Sequence, residues 1–180
     1  MTNYLTEDGP KILAQIESDV QNLVSAWTEF QILFMNGREI TTLQNNSAPY
    51  TFVLFRNALL TDLVLKISRL RDPAQQGSNS NLSLGRLREE VRAKKGFDAK
   101  FQSVGTWTSK LAEQRNKVLA HSDLGVALNN QIAPSFREVE VERSIVAIGK
   151  LVNFVHQRTE GHPIRFSRKP HADGAAKLLR

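Results

Sequence analysis

From Ile12 to Phe34 an apolar side chain returns at every third or fourth position: Ile12, Ile16, Val20, Leu23, Trp27, Phe30 and Phe34. That spacing lines one side of an α-helix and neither side of a strand. Pro10 suits the first turn and Gly37 the exit, so a first helix is expected over Pro10–Asn36. A second is expected over Tyr50–Arg71, apolar nearly all round through Phe52, Val53, Phe55, Leu59, Leu60, Leu63, Val64, Ile67 and Leu70. A helix with no clean polar face belongs at the centre of a bundle. Pro73 ends it, because a residue before proline is pushed out of the helical region. A short basic helix (Leu82–Lys95, closed by Gly96) comes next, followed by helices over Ala99–Ala120 and Glu138–Thr159. The stripe of the first of these long helices is Val104, Trp107, Leu111 and Val118; that of the second is Val141, Ile145, Ile148, Val152 and Val155. Trp27 and Trp107 are expected in the core. NNSAPY, the polar AQQGSNSN and 123–137 read as connectors, and no strand alternation or repeat interrupts the pattern. The fold class is all-α: a bundle of four long helices plus a short one.

The 180 residues suit one domain, expected over 1–161, with a basic, flexible tail over 162–180. The net charge of +6 is uneven, since the residues from His162 onward carry +4 and the body only +2. A basic tail fits a polyanion such as RNA, and equally a solvated end. No cysteine is present, which excludes disulfides, thiolate nucleophiles and cysteine metal sites. The most apolar run, YTFVLFRNALLTDLVLKI, is broken by Arg56, Asn57, Asp62 and Lys66, so no membrane span is expected. The start, MTNYLTEDGPKI, has neither the basic nor the apolar region of a secretory signal, and the expected location is the cytoplasm.

The stretch RNKVLAHSD, Arg115 to Asp123, gathers a guanidinium, an amide, an ammonium, an imidazole and a carboxylate where a helix is ending. At 100° per residue Arg115 falls about 40° from Leu111, on the buried stripe, while His121 falls about 80° away on the other side. An arginine aimed at a core needs a carboxylate or several carbonyls. Asp62 and Asp72 are the two candidates. One account of the stretch is structural: Arg115 bridges the bundle, Lys117 and His121 favour the helix dipole, and Ser122 and Asp123 bond exposed backbone groups.

The other account comes from a resemblance. Arg115, the polar Asn116 beside it, and His121 after five intervening residues resemble the signature of the HEPN superfamily. ISRLRDPAQQG, NLSLGRL and KVLAHSD look most like its abortive-infection-associated branch, and the likeness spans roughly Leu59 to Asp123. The resemblance implies a homodimeric bundle whose motif helices meet near a two-fold axis. Many such proteins are metal-independent endoribonucleases, acting as toxins or phage-defence effectors. Others are catalytically silent and bind RNA, a nucleotide or a protein partner such as a nucleotidyltransferase, and a cognate antitoxin is a further partner of such toxins. The chemistry suits the residues. RNA supplies its own 2′-OH nucleophile, His121 can move a proton near neutral pH, and Arg115 can hold the phosphate. The products would be a 2′,3′-cyclic phosphate and a 5′-hydroxyl. Asn116, Lys117 and Asp123 would support this pair. The 120° or so between Arg115 and His121 on an ideal helix favours a site shared between two protomers.

No metal or cofactor is expected. His156, His162 and His171 lack metal-ligand spacing, HExxH, the P-loop and GxSxG patterns are absent, and His156 reads as a partly exposed helix residue. Arg86, Arg88, Arg92, Lys94 and Lys95 cluster around the short helix and are candidates to line an RNA path, or simply a solvated face.

Overall fold

The computed structural model of the chain describes residues 4–116 and 137–167. Helix α1 (Gly9–Phe34) buries Leu13, Ile16, Val20, Leu23, Trp27, Phe30 and Leu33, with Pro10 in its first turn. The Trp27 and Phe30 rings stack with centroids 5.4 Å apart.

A second helix, α2 (Arg38–Ser47), occupies a stretch whose polar sequence gave no helical signal. What holds it is tertiary: the buried Gln44 donates Nε2–H to the carbonyl of Leu33 at 2.6 Å, near the end of α1. Pro49 then opens α3 (Pro49–Arg71). Its second half buries Leu63, Val64, Ile67 and Leu70, but its first half does not behave as the centre of a bundle. Tyr50, Val53, Leu54 and Phe55 are 74, 54, 50 and 48% exposed. Apolar residues on all sides here signal two faces, one against α1 and one that the described residues leave uncovered.

The polar connector after α3 is a minimal hairpin rather than an irregular loop: β1 (Gln75–Gln76) pairs antiparallel with β2 (Asn79–Ser80). Gly77 supplies the positive φ of 60° that its two-residue turn requires. Ser83 caps the short α4 (Leu84–Glu90) by accepting the Arg86 N–H at 3.2 Å. Leu5 is fully buried and bridges to Val91, with hydrogen bonds from Thr6 N to Glu90 O and from Arg92 N to Tyr4 O. Burying one leucine contributes about 2 kcal/mol. That is comparable with fixing one or two residues, so the bridge is what fastens the segment from Tyr4 to Thr6.

Helices α5 (Phe97–Gln114) and α6 (Glu138–Glu160) run antiparallel. Lys110 meets Glu140, the Trp107 carbonyl accepts from Ser144, and Lys100 lies over Phe154. All five apolar positions expected inward on α6 are buried. On α5 the buried line is Val104, Thr108 and Leu111, which leaves Trp107 at its margin, 39% exposed under the Arg143 guanidinium rather than in the core. His156 also departs from expectation. It is buried, with Nδ1 2.7 Å from Glu17 Oε1. Beyond the left-handed Gly161, residues 162–167 turn back along the groove between α1 and α6, tied to Asn153 and Gln21, with Phe166 packed on the core. Four long helices and two short ones are described, and none is long and apolar enough to cross a membrane.

Candidate functional site

The site grows from the ends of two helices. Helix α3 stops at Asp72, whose φ of −53° and ψ of 149° are the extended geometry that Pro73 imposes. Its carboxylate is thereby released from the helix. On α5, the buried line Val104–Thr108–Leu111 continues to Arg115, where the helical backbone widens into the π form through Asn116. The two ends meet: Arg115 Nη1 donates to Asp72 Oδ1 at 3.2 Å. The side chains are 32% and 22% exposed, so the pair is neither in the dry core nor free in solvent. Of the two carboxylates in contention for Arg115, Asp62 is taken by Lys66 at 2.5 Å.

The contact is single, not a bidentate fork. Among the described residues the other guanidinium N–H groups of Arg115 have no partner, and a fork with open donors can bind a second oxyanion. Space for one lies alongside, in an open cleft of about 320 Å³ lined by Ser68, Arg71, Asp72, Pro73, Ala112, Arg115 and Asn116. Sequence reading did not single out Ser68. It lies on the last turn of α3, and its Oγ is buried with no hydrogen-bond partner among the described residues. Its only signal was its place one turn before Asp72.

Five residues before Arg115, Lys110 Nζ meets Glu140 Oε1 at 2.7 Å, and Glu140 Oε2 accepts the Arg137 N–H at 2.9 Å. Lys110 first, and then that backbone N–H, hold the Glu140 carboxyl below its ordinary value. This clamp fixes the start of α6 against the α5 turn that precedes the site.

Of the motif residues, Arg115 and Asn116 therefore line one cleft, with Asn116 exposed. His121, Lys117 and Asp123 lie outside the described residues. The basic residues around α4 do not form one open row. Arg86 pairs with Glu89 and Glu90, Arg88 holds both oxygens of Asp98 at 2.8 and 3.3 Å, and Arg92 donates Nε–H to the Leu5 carbonyl. Lys94 and Lys95 are exposed. A larger groove of about 430 Å³ lies between α1 and α6 near Phe166, and no motif residue lines it. No cluster of three or more His, Asp or Glu side chains able to hold a metal occurs among the described residues.

Comparison with known proteins adds one match. The family model described as AbiU2, a HEPN family, matches residues 10–177, nearly the whole chain. No curated protein and no solved structure matches it.

Proposed function

The chain belongs to the AbiU2 family of the HEPN superfamily, whose members are associated with abortive infection, and from that premise we propose that it is a metal-independent endoribonuclease of the cytoplasm. Arg115 would hold the scissile phosphate and steady the charge developing on its oxygens, while His121 moves the proton during attack by the ribose 2′-OH. The observation that carries this reading is the Arg115 guanidinium at the rim of an open cleft, oriented by Asp72 through one nitrogen among the described residues. An arginine so held is pre-aimed, which spares substrate the cost of ordering it. Asn116 on the same cleft would bond the phosphate or orient the imidazole, and Lys117 and Asp123 would support the pair.

The working unit of this reading is a two-fold dimer with the site shared between protomers. Support comes from the uncovered face of α3. It carries no charge from Tyr50 to Phe55, and Arg56, its first cation, is spent on Glu138 and lies 5.9 Å from the Phe30 ring centroid. A two-fold contact sets the same surface against itself. In a chain of net charge +6, a face without cations is where two copies meet without like-charge repulsion. On the same side of α3, further along, lie the partly exposed Thr61 and Leu65 and then the buried Ser68 at the cleft.

A second reading is favoured by the same ion pair. An arginine neutralised by Asp72 can be purely structural, and the protein would then be a catalytically silent module that binds RNA, a nucleotide or a protein such as a nucleotidyltransferase or cognate antitoxin. Cleavage of total RNA and transfer RNA in EDTA, by the native protein and His121→Ala in parallel, separates the two. Cleavage with 2′,3′-cyclic phosphate ends that the variant loses supports the nuclease. Equal cleavage by both, or none by a folded protein that shifts RNA in a gel, overturns it.

A further inference from the structure

At the opposite end of α5 from Arg115, three parts of the chain converge on one aromatic ring. Gly96, with φ of 83°, brings the backbone so close to Phe154 of α6 that a Cβ there would lie 3.0 Å from the ring. The Arg158 guanidinium sits 3.5 Å from the Phe154 centroid, and Lys100 Nζ 5.2 Å from it. Arg158 also lies 5.9 Å from the ring of Tyr4, whose hydroxyl donates to the Ala93 carbonyl at 3.2 Å. Burial foremost raises the Tyr4 hydroxyl pKa, so the ring stays neutral beside these cations.

The charge balance here is one-sided. Lys94 and Lys95 immediately precede Gly96 and, like Arg158, are exposed. Lys94, Lys95, Lys100 and Arg158 have no ion-pair partner among the described residues. The nearby Asp98 is engaged on both oxygens by Arg88, which holds its carboxyl below the usual range. Lys94 acts on Asp98 through space, but Lys100 and Arg158 at the Phe154 ring, with Lys95 beside Gly96, leave an excess of positive charge that an anion would relieve. A guanidinium stacked on a ring presents a planar surface of the kind on which unpaired bases stack.

We propose that Lys94, Lys95, Lys100 and Arg158, with the Phe154 and Tyr4 rings, form a ledge that binds single-stranded RNA away from the Arg115 cleft. Lys100 and Arg115 are about 22 Å apart along α5, so the ledge would hold a stretch of strand remote from the cleavage point. The cations take successive phosphates, and the Arg158–Phe154 stack takes a base without reading its identity. The inference shares the RNA partner of the reading above and does not depend on cleavage.

The test uses the full chain carrying His121→Ala, so that no strand is cut. Binding of a fluorescein-labelled single-stranded RNA is followed by anisotropy between about 50 and 200 mM salt. Lys94→Gln with Lys95→Gln and Arg158→Gln should weaken binding at least tenfold. It should also flatten the salt slope by about 2, since each lost phosphate contact removes about 0.7. Arg38→Gln, on α2, should change neither. Arg158→Lys keeps the charge and the fold but loses the planar stack. Native protein should prefer a base-bearing strand to an abasic one about tenfold, and Arg158→Lys should lose that preference. Native affinity in the triple variant, with its circular dichroism intact, overturns the ledge. So does binding of poly-glutamate as tight as RNA, which would point to an acidic protein partner. Cleavage by the chain with His121 intact is read separately. Its absence with ledge-dependent binding sinks the nuclease alone, and cleavage with ledge-independent binding sinks the ledge alone.

Discussion

Arg115 and Asp72, 43 positions apart in the chain, meet where α5 and α3 end, Nη1 to Oδ1 at 3.2 Å. The meeting has two local causes. Pro73 frees the aspartate from its helix, and the three-to-four spacing from Val104 through Thr108 and Leu111 aims the arginine at it. Removing either partner leaves the other half-buried without this contact. A double-mutant cycle of Arg115→Ala and Asp72→Asn in urea should give a coupling of about 1 kcal/mol. A value near zero would mean the contact is made but carries no stability.

The catalytic reading predicts a graded loss. His121→Ala should lose about 10²–10⁴-fold in rate with helicity unchanged, the usual worth of a positioned acid or base. Arg115→Lys keeps the charge and loses the planar fork, and should lose about 10²-fold, as for one oxyanion-stabilising donor. Single-turnover cleavage of a defined RNA measures both. A lysine variant as fast as native would remove Arg115 from the phosphate.

Acid sensitivity should trace to Glu140. Its carboxyl is held below its ordinary value by Lys110 and the Arg137 N–H. A depressed native value means the unfolded chain takes up the proton first as pH falls. The stabilisation is therefore fully present above about pH 4.5 and is lost as pH drops through the native value. Glu140→Gln should lower the melting temperature at pH 7 and flatten its fall between about pH 5 and 3. A variant that keeps the native slope would assign the acid response to other carboxylates.

Tyr50→Glu with Leu54→Glu places two anions on the face of α3 that the described residues leave uncovered, where both residues are at least half exposed. The expected outcome by light scattering is a monomer with native circular dichroism. If the proposed site is shared between protomers, it should also cleave poorly. A variant that stays dimeric moves the interface elsewhere.

Gly96→Ala forces a side chain onto a φ of 83° and into contact with Phe154. The backbone alone should cost about 1–2 kcal/mol, read as a lower urea midpoint.

Much of the fold was legible because helix signals are local. The stripe of α1, the inward positions of α6 and the stop at Pro73 each follow from spacing or from one residue's stereochemistry. Helix α2 was not legible: REITTLQNNS has no stripe of its own, and Gln44 earns its place only by reaching the Leu33 carbonyl. Trp107 misled because an apolar stripe is wider than the line that gets covered. At the site, Arg115 could be placed on the buried side of its helix from sequence, but the spacing left Asp62 and Asp72 open.

By itself, then, the sequence determined that four long segments are helices and that α3 stops before Pro73, because 3.6-residue periodicity and the chemistry of proline act within a few residues. Only the tertiary structure decided that Arg115 is held by Asp72, that the described residues leave half of α3 uncovered, and that Lys100, Phe154, Arg158 and Tyr4 share one surface. Those relations depend on how helices cross, and crossing is set by the packing of whole faces against one another, which no single helix's pattern contains.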